Sequence, residues 1–106
     1  MPQYFDGATA QNPSPPYTLT ELGTFAIKTG GGCLNGSPVV LTAGDATSIV
    51  QLYDGTVVDG AASGQLIATF TGGIAGRVGC PNQSFIAGLV AVASGVTSPT
   101  VQISYN

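Results

Sequence analysis

The stretch Thr47-Ser48-Ile49-Val50-Gln51-Leu52-Tyr53-Asp54-Gly55, followed after a short connection by Gln65-Leu66-Ile67-Ala68-Thr69-Phe70-Thr71, decides how the chain is read. Side chains of a β-strand point alternately to opposite faces. Val50 and Leu52 therefore share one face, while Ile49, Gln51 and Tyr53 share the other. No helical spacing of apolar residues runs through either segment, and the β-branched and aromatic content favours strands. Asp54-Gly55 is a dipeptide that forms tight turns, so a turn is expected there. Asp59-Gly60-Ala61-Ala62-Ser63-Gly64 is expected as a flexible loop ahead of the strand Gln65–Thr71.

The same grammar extends to both sides. Thr24-Phe25-Ala26-Ile27-Lys28 alternates, with Phe25 and Ile27 on one face, until Gly30-Gly31-Gly32 breaks it. Cys33 to Leu41 is a strand region interrupted by Gly36 and Pro38, which suits a bulge or a sheet edge. Ala43-Gly44-Asp45 reads as a turn, and Ile74 to Phe85 is irregular, with a turn at Cys80-Pro81-Asn82. Ile86 to Ser94 is apolar on both faces, as expected of a central strand or an interface strand. Val101, Ile103 and Tyr105 alternate in the last strand and should point inward. Roughly six to eight short strands at this spacing argue for an all-β, two-sheet sandwich or barrel.

Residues 1–17 differ from the remainder, which forms a single domain over 18–106. Gln11-Asn12-Pro13-Ser14-Pro15-Pro16 cannot donate ladder hydrogen bonds at its prolines and favours an extended path. Tyr4, Phe5 and Tyr17 nevertheless bring aromatic side chains, which a free tail seldom carries because they gain from burial. The segment reads as an extended arm that docks on a neighbouring molecule through Tyr4, Phe5, Pro15, Pro16 and Tyr17. The competing reading folds it back on its own domain. Val90 and Val92, on the second face of the central strand, are further candidates for a subunit interface.

The 106-residue chain holds only two basic and five acidic side chains, for a net charge of −3. A chain of this length ordinarily carries about 26. Either it is a sparsely charged free-standing β-protein, or partner molecules cover much of its surface. The second reading has more force because charge is what normally keeps an isolated domain soluble. Two basic residues cannot neutralise a run of phosphates, which excludes nucleic acid as a partner and disfavours anionic membranes. No apolar stretch is long enough to span a bilayer as a helix. The first residues, Met1-Pro2-Gln3-Tyr4-Phe5-Asp6, lack the basic and apolar regions of a signal peptide. Synthesis in a cytoplasm without Sec export is expected.

Chemistry is hard to assemble from this composition. The sequence has no His, so neither Cys33 nor Cys80 has an imidazole to activate it, and neither has metal-ligand spacing. Both are expected as buried free thiols, with a disulfide between them left open. Asp54 and Asp59 sit beside glycines, where side-chain capping of turns explains them; a Ca²⁺ site lacks the usual closely alternating acids. Gly30-Gly31-Gly32 is not followed by Lys-Ser/Thr and opens no helix, so it is not a phosphate loop. Lys28 and Arg77 are free to anchor the C-terminal carboxylate or a partner's acid, or simply to stand in solvent. No catalytic, cofactor or metal site is expected, and an enzyme is disfavoured.

The ordered set Ile27-Lys28-Thr29-Gly30, Cys33-Leu34-Asn35-Gly36, Thr42-Ala43-Gly44, Val50-Gln51-Leu52-Tyr53-Asp54-Gly55-Thr56, Gly64-Gln65-Leu66-Ile67-Ala68-Thr69-Phe70, Gly88–Gly95 and Val101-Gln102-Ile103-Ser104-Tyr105 resembles a family of small tailed-phage head decoration (cement) and virion accessory proteins. The connection Gly72 to Ser84 and residues 1–17 fall outside the likeness. The resemblance implies a jelly-roll-like antiparallel β-sandwich. It also implies assembly as a homotrimer on the capsid surface of a virion, with the major capsid protein as partner. The alternative from a different class is a phage tail or fibre-associated module that binds host-surface glycan, with Tyr53, Asp54 and Asp59 as its nearest candidates.

Overall fold

A computed structural model of the chain describes residues 16–79 and 83–106. Tyr4, Phe5, Pro15 and Cys80 lie outside them. The described residues form an all-β structure of ten strands. They are β1 (Tyr17–Leu19), β2 (Gly23–Thr29), β3 (Gly32–Cys33), β4 (Val39–Thr42), β5 (Ile49–Val58), β6 (Ala61–Thr71), β7 (Gly76–Arg77), β8 (Ser84–Phe85), β9 (Gly88–Ser94) and β10 (Thr100–Ile103). One four-stranded sheet has the order β2-β9-β5-β6, a second has β1-β10-β4-β7, and β3 pairs with β8. Every pairing is antiparallel.

The pairings nest. First strand pairs with tenth, second with ninth, third with eighth, fourth with seventh and fifth with sixth. The chain is thus one long double-stranded ribbon doubled at the β5–β6 connection and wrapped so that, the separate β3–β8 pair aside, successive pairs fall alternately in the two four-stranded sheets. Antiparallel partners need no crossover helix, so a sequence of short strands and turns suffices to make it.

Alternation decides what is buried. Val50 and Leu52 of β5, Phe70 of β6, Leu89, Ala91 and Ala93 of β9 meet Leu19 of β1, Val40 of β4, and Val101 and Ile103 of β10 in one apolar cluster between the two sheets. Phe25 and Ile27 of β2 pack against it, as does Tyr17. Fully burying a Leu or Val contributes about 1.5–3 kcal/mol, so this shared cluster is what holds the sheets face to face.

The expected turn at Asp54-Gly55 is absent. β5 runs straight through it to Val58, and the chain reverses at Asp59-Gly60 instead. There φ is 51° at Asp59 and 77° at Gly60, the two positive values that a two-residue turn needs to match strand twist. Gly55 serves a different need. It stands opposite Gly64 in the ladder, and a Cβ on it would lie 1.6 Å from the Ser63 carbonyl oxygen. Residues 61–64, expected as loop, are correspondingly the first part of β6. A second correction concerns Cys33, which is an exposed free thiol rather than a buried one.

Candidate interaction surface

Several polar side chains, among them Asp45, Asp54 and Lys28 of the few charged ones, bind the chain's own loops. Asp54 Oδ1 accepts the backbone amides of Ala87 at 2.9 Å and Ile86 at 3.0 Å, tying the β8–β9 loop to the middle of β5. Those amides, Ala87 foremost, hold the Asp54 carboxyl below its ordinary range. At the opposite end, Asp45 accepts the hydroxyl and the amide of Thr47, and these bonds likewise lower its pKa. Ser48, fully buried, donates through its hydroxyl to the Thr97 carbonyl at 2.6 Å and accepts the Asp45 amide. Thr47 Oγ1 accepts the Val96 amide, and the Gly72 amide reaches the Ser48 carbonyl. One knot of side chains and main chain therefore pins the loops 43–48, 72–75 and 95–99 together. Lys28 Nζ donates to the main-chain oxygens of Gly31 and Asn106, each at 2.8 Å, which fixes the other end of the sandwich.

With these groups spent on structure, the described residues hold no cluster of three potential metal ligands and no cavity. The glycan candidates do not converge: Asp54 is committed to main-chain amides, Asp59 is at the ribbon tip, and Tyr53 lies in a sheet row between Val90 and Leu66.

Apolar groups occupy the loop tips that the polar knots hold out. Ile86, on the loop clasped by Asp54, is 85% exposed. Val96 and Ile74, at the opposite end, are 77% and 71% exposed. Beyond the stretch where β5 also pairs with β9, β5 and β6 continue as a two-stranded ribbon over 55–64, on which Val57 and Val58 are exposed. The larger sheet also has a row on the face away from the core, Ala26–Val90–Tyr53–Leu66, one residue from each strand in register. Val90 in that row is fully buried yet outside the core cluster, while Leu66 at its end is 45% exposed.

The residues singled out in the sequence fall into three groups. Tyr4, Phe5 and Pro15 lie outside the described residues. Pro16 is exposed immediately ahead of β1. Tyr17 pairs with Ile103 and packs on the core, and burial, with Glu21 nearby, raises its pKa. Val90 and Val92 sit side by side on the face opposite the core, the first buried and the second half-buried. Sequence reasoning missed Leu66, Ile74, Ile86 and Val96. The signal available for the last three was an aliphatic residue directly beside Gly or Ala in a turn, where no strand pattern would bury it.

In comparison with known proteins, no family model, no curated protein and no solved structure matches the chain.

Proposed function

We propose that the chain is a structural subunit of a virion, a decoration or cement protein that sits on the outside of a capsid and binds the major capsid protein. The observation that carries this reading is the display of Ile74, Ile86 and Val96 on loops braced by hydrogen bonds, in a chain with seven charged side chains. Loops are normally where a protein puts its polar residues. Aliphatic tips that are rigidly presented rather than tucked in are suited to sit in pockets of a partner, and burying them contributes about 25 cal/mol per Å². Many identical copies on a lattice turn a modest single-site affinity into firm attachment.

The nested pairing of strands across two four-stranded sheets also supports the jelly-roll-like architecture that the resemblance implies, since eight strands in two sheets with such connections define that arrangement. The ten strands include the short β3–β8 pair as an addition to those eight. Among the described residues Tyr53, Asp54 and Asp59 do not converge, so no observation favours the glycan-binding alternative.

Antibody raised against the purified chain and applied to virions from the producing lysate tests the reading by electron microscopy. Label distributed over the shell is the expected result. Label confined to a tail tip would transfer the chain to the tail, and virions without label would end the proposal.

A further inference from the structure

We propose that β6 is the pairing edge for a second copy of this chain, joined antiparallel about a two-fold axis close to Leu66. The inference starts from how the four outer strands of the two four-stranded sheets differ among the described residues. An open strand edge offers unpaired main-chain donors and acceptors, and proteins guard such edges with charge, proline, bulges or short length. Edge strand β1 is three residues long and follows Pro16. Edge strand β7 is two residues long and carries Arg77. Edge strand β2 carries Lys28 and a register shift between Ala26 and Lys28. Edge strand β6 is eleven residues long, with neither a charged residue nor a proline in Ala61–Thr71. It carries two local irregularities, a bulge at Ile67 comparable to the register shift of β2 and a positive φ of 130° at Gly64, so its length and lack of charge, not its regularity, set it apart.

Three features select a second copy as the occupant. Leu66 is the midpoint of Ala61–Thr71, so antiparallel self-pairing about it is centred on the strand. The strand is neutral, so no like charges meet across the axis, whereas a strand of opposite charge would gain nothing here. The row Ala26–Val90–Tyr53–Leu66 ends at this edge with its leucine half-exposed. Self-pairing sets Leu66 beside Leu66 and continues the row across eight strands, covering both leucines. The two edges left outermost are then the guarded β2 strands, so the contact closes as a dimer and does not propagate as a fibre.

This inference goes beyond attachment to a capsid and is tested on the purified full-length chain alone, so either can fail without the other. Sedimentation equilibrium over a concentration series is expected to give a monomer–dimer equilibrium. Amide exchange over residues 61–71 should slow as concentration rises. Leu66→Lys places two ammonium groups at the axis on an already exposed position, and should raise the dissociation constant at least about tenfold. Thr56→Lys, exposed on the ribbon strand away from this edge, should leave it unchanged. Circular dichroism of both variants guards against misfolding. Four results would each overturn the proposal: a monomer at all concentrations, a trimer mass, a dimer indifferent to Leu66→Lys, or exchange protection in β6 that is independent of concentration. The last would show that the edge is covered within a single chain.

Discussion

The Asp54 carboxylate accepts the amides of Ala87 and Ile86, and such bonds are stronger to an ionised oxygen than to a protonated one. Asp45 stands in the same relation to Thr47. Both carboxyls titrate below their ordinary range. A depressed folded-state pKa means that the stabilisation is fully present above the unfolded value and is lost as pH falls through the folded one. The urea midpoint should therefore be flat from neutrality to about pH 5 and fall below about pH 4. Asp54→Asn should lower the midpoint at pH 7, and its gap to the parent should narrow as the pH falls below about 4; a gap that persists unchanged in acid would show that ionisation is not the cause. Glycines at two positions make a contrasting pair. Gly55→Ala drives a Cβ into the Ser63 carbonyl, a rigid obstacle, and should cost about 1–3 kcal/mol in urea denaturation as the ladder splays. Gly60→Ala meets no atom within 4 Å, but φ there is +77°, and the strained conformation alone should cost about 1 kcal/mol.

At the scale of elements, nesting imposes an order on folding. Closing the β5–β6 ribbon brings β4 near β7 and β9 near β5, whereas pairing β1 with β10 first would close almost the whole described chain at once. Loop-closure entropy favours the inner pair. Gly60→Ala should therefore slow folding by nearly its full effect on stability. Leu19→Ala, in the outermost pair and 1% exposed, should cost about 3 kcal/mol and act mainly by speeding unfolding. Stopped-flow chevrons of the two variants decide; equal slowing of folding by both would refute the order. The strands that a period of two can reveal were legible: Val50 with Leu52, Val101 with Ile103, and the doubly apolar β9 in the middle of its sheet. The hairpin was not. Asp54-Gly55 and Asp59-Gly60 are the same dipeptide, and what separates them is distant, the Ile86 and Ala87 amides that claim Asp54 and the Gly64 that stands against Gly55. Two-residue strands such as β3 and β8 are too short to carry a period. Of the candidate interaction surface, low charge was legible but the placement of its apolar groups was not, because exposure of Ile74, Ile86 and Val96 depends on which loops the polar knots hold out.

For the whole molecule, the start of β1 is the boundary that separates the proposed attachment segment from the fold. Tyr17 and Leu19 belong to the fold: β1 pairs with β10 over Tyr17–Leu19, and Leu19 lies in the core cluster. Removing residues 1–15 should leave the unfolding midpoint within error of the parent. If the arm carries the partner contacts proposed for Tyr4, Phe5 and Pro15, the same truncation should weaken capsid binding at least about tenfold, a change of about 1.4 kcal/mol. Removing residues 1–19 deletes β1 and its buried leucine as well, and should lower stability by about 3 kcal/mol or more. Co-sedimentation with capsids and urea denaturation, run side by side on the two truncations, separate the effects. An undiminished capsid affinity for the shorter truncation would assign attachment to the loop tips Ile74, Ile86 and Val96 alone. A drop in its stability would instead place part of residues 1–15 in the chain's own fold, because a segment that only reaches a neighbour contributes nothing to the unfolding of the isolated protein.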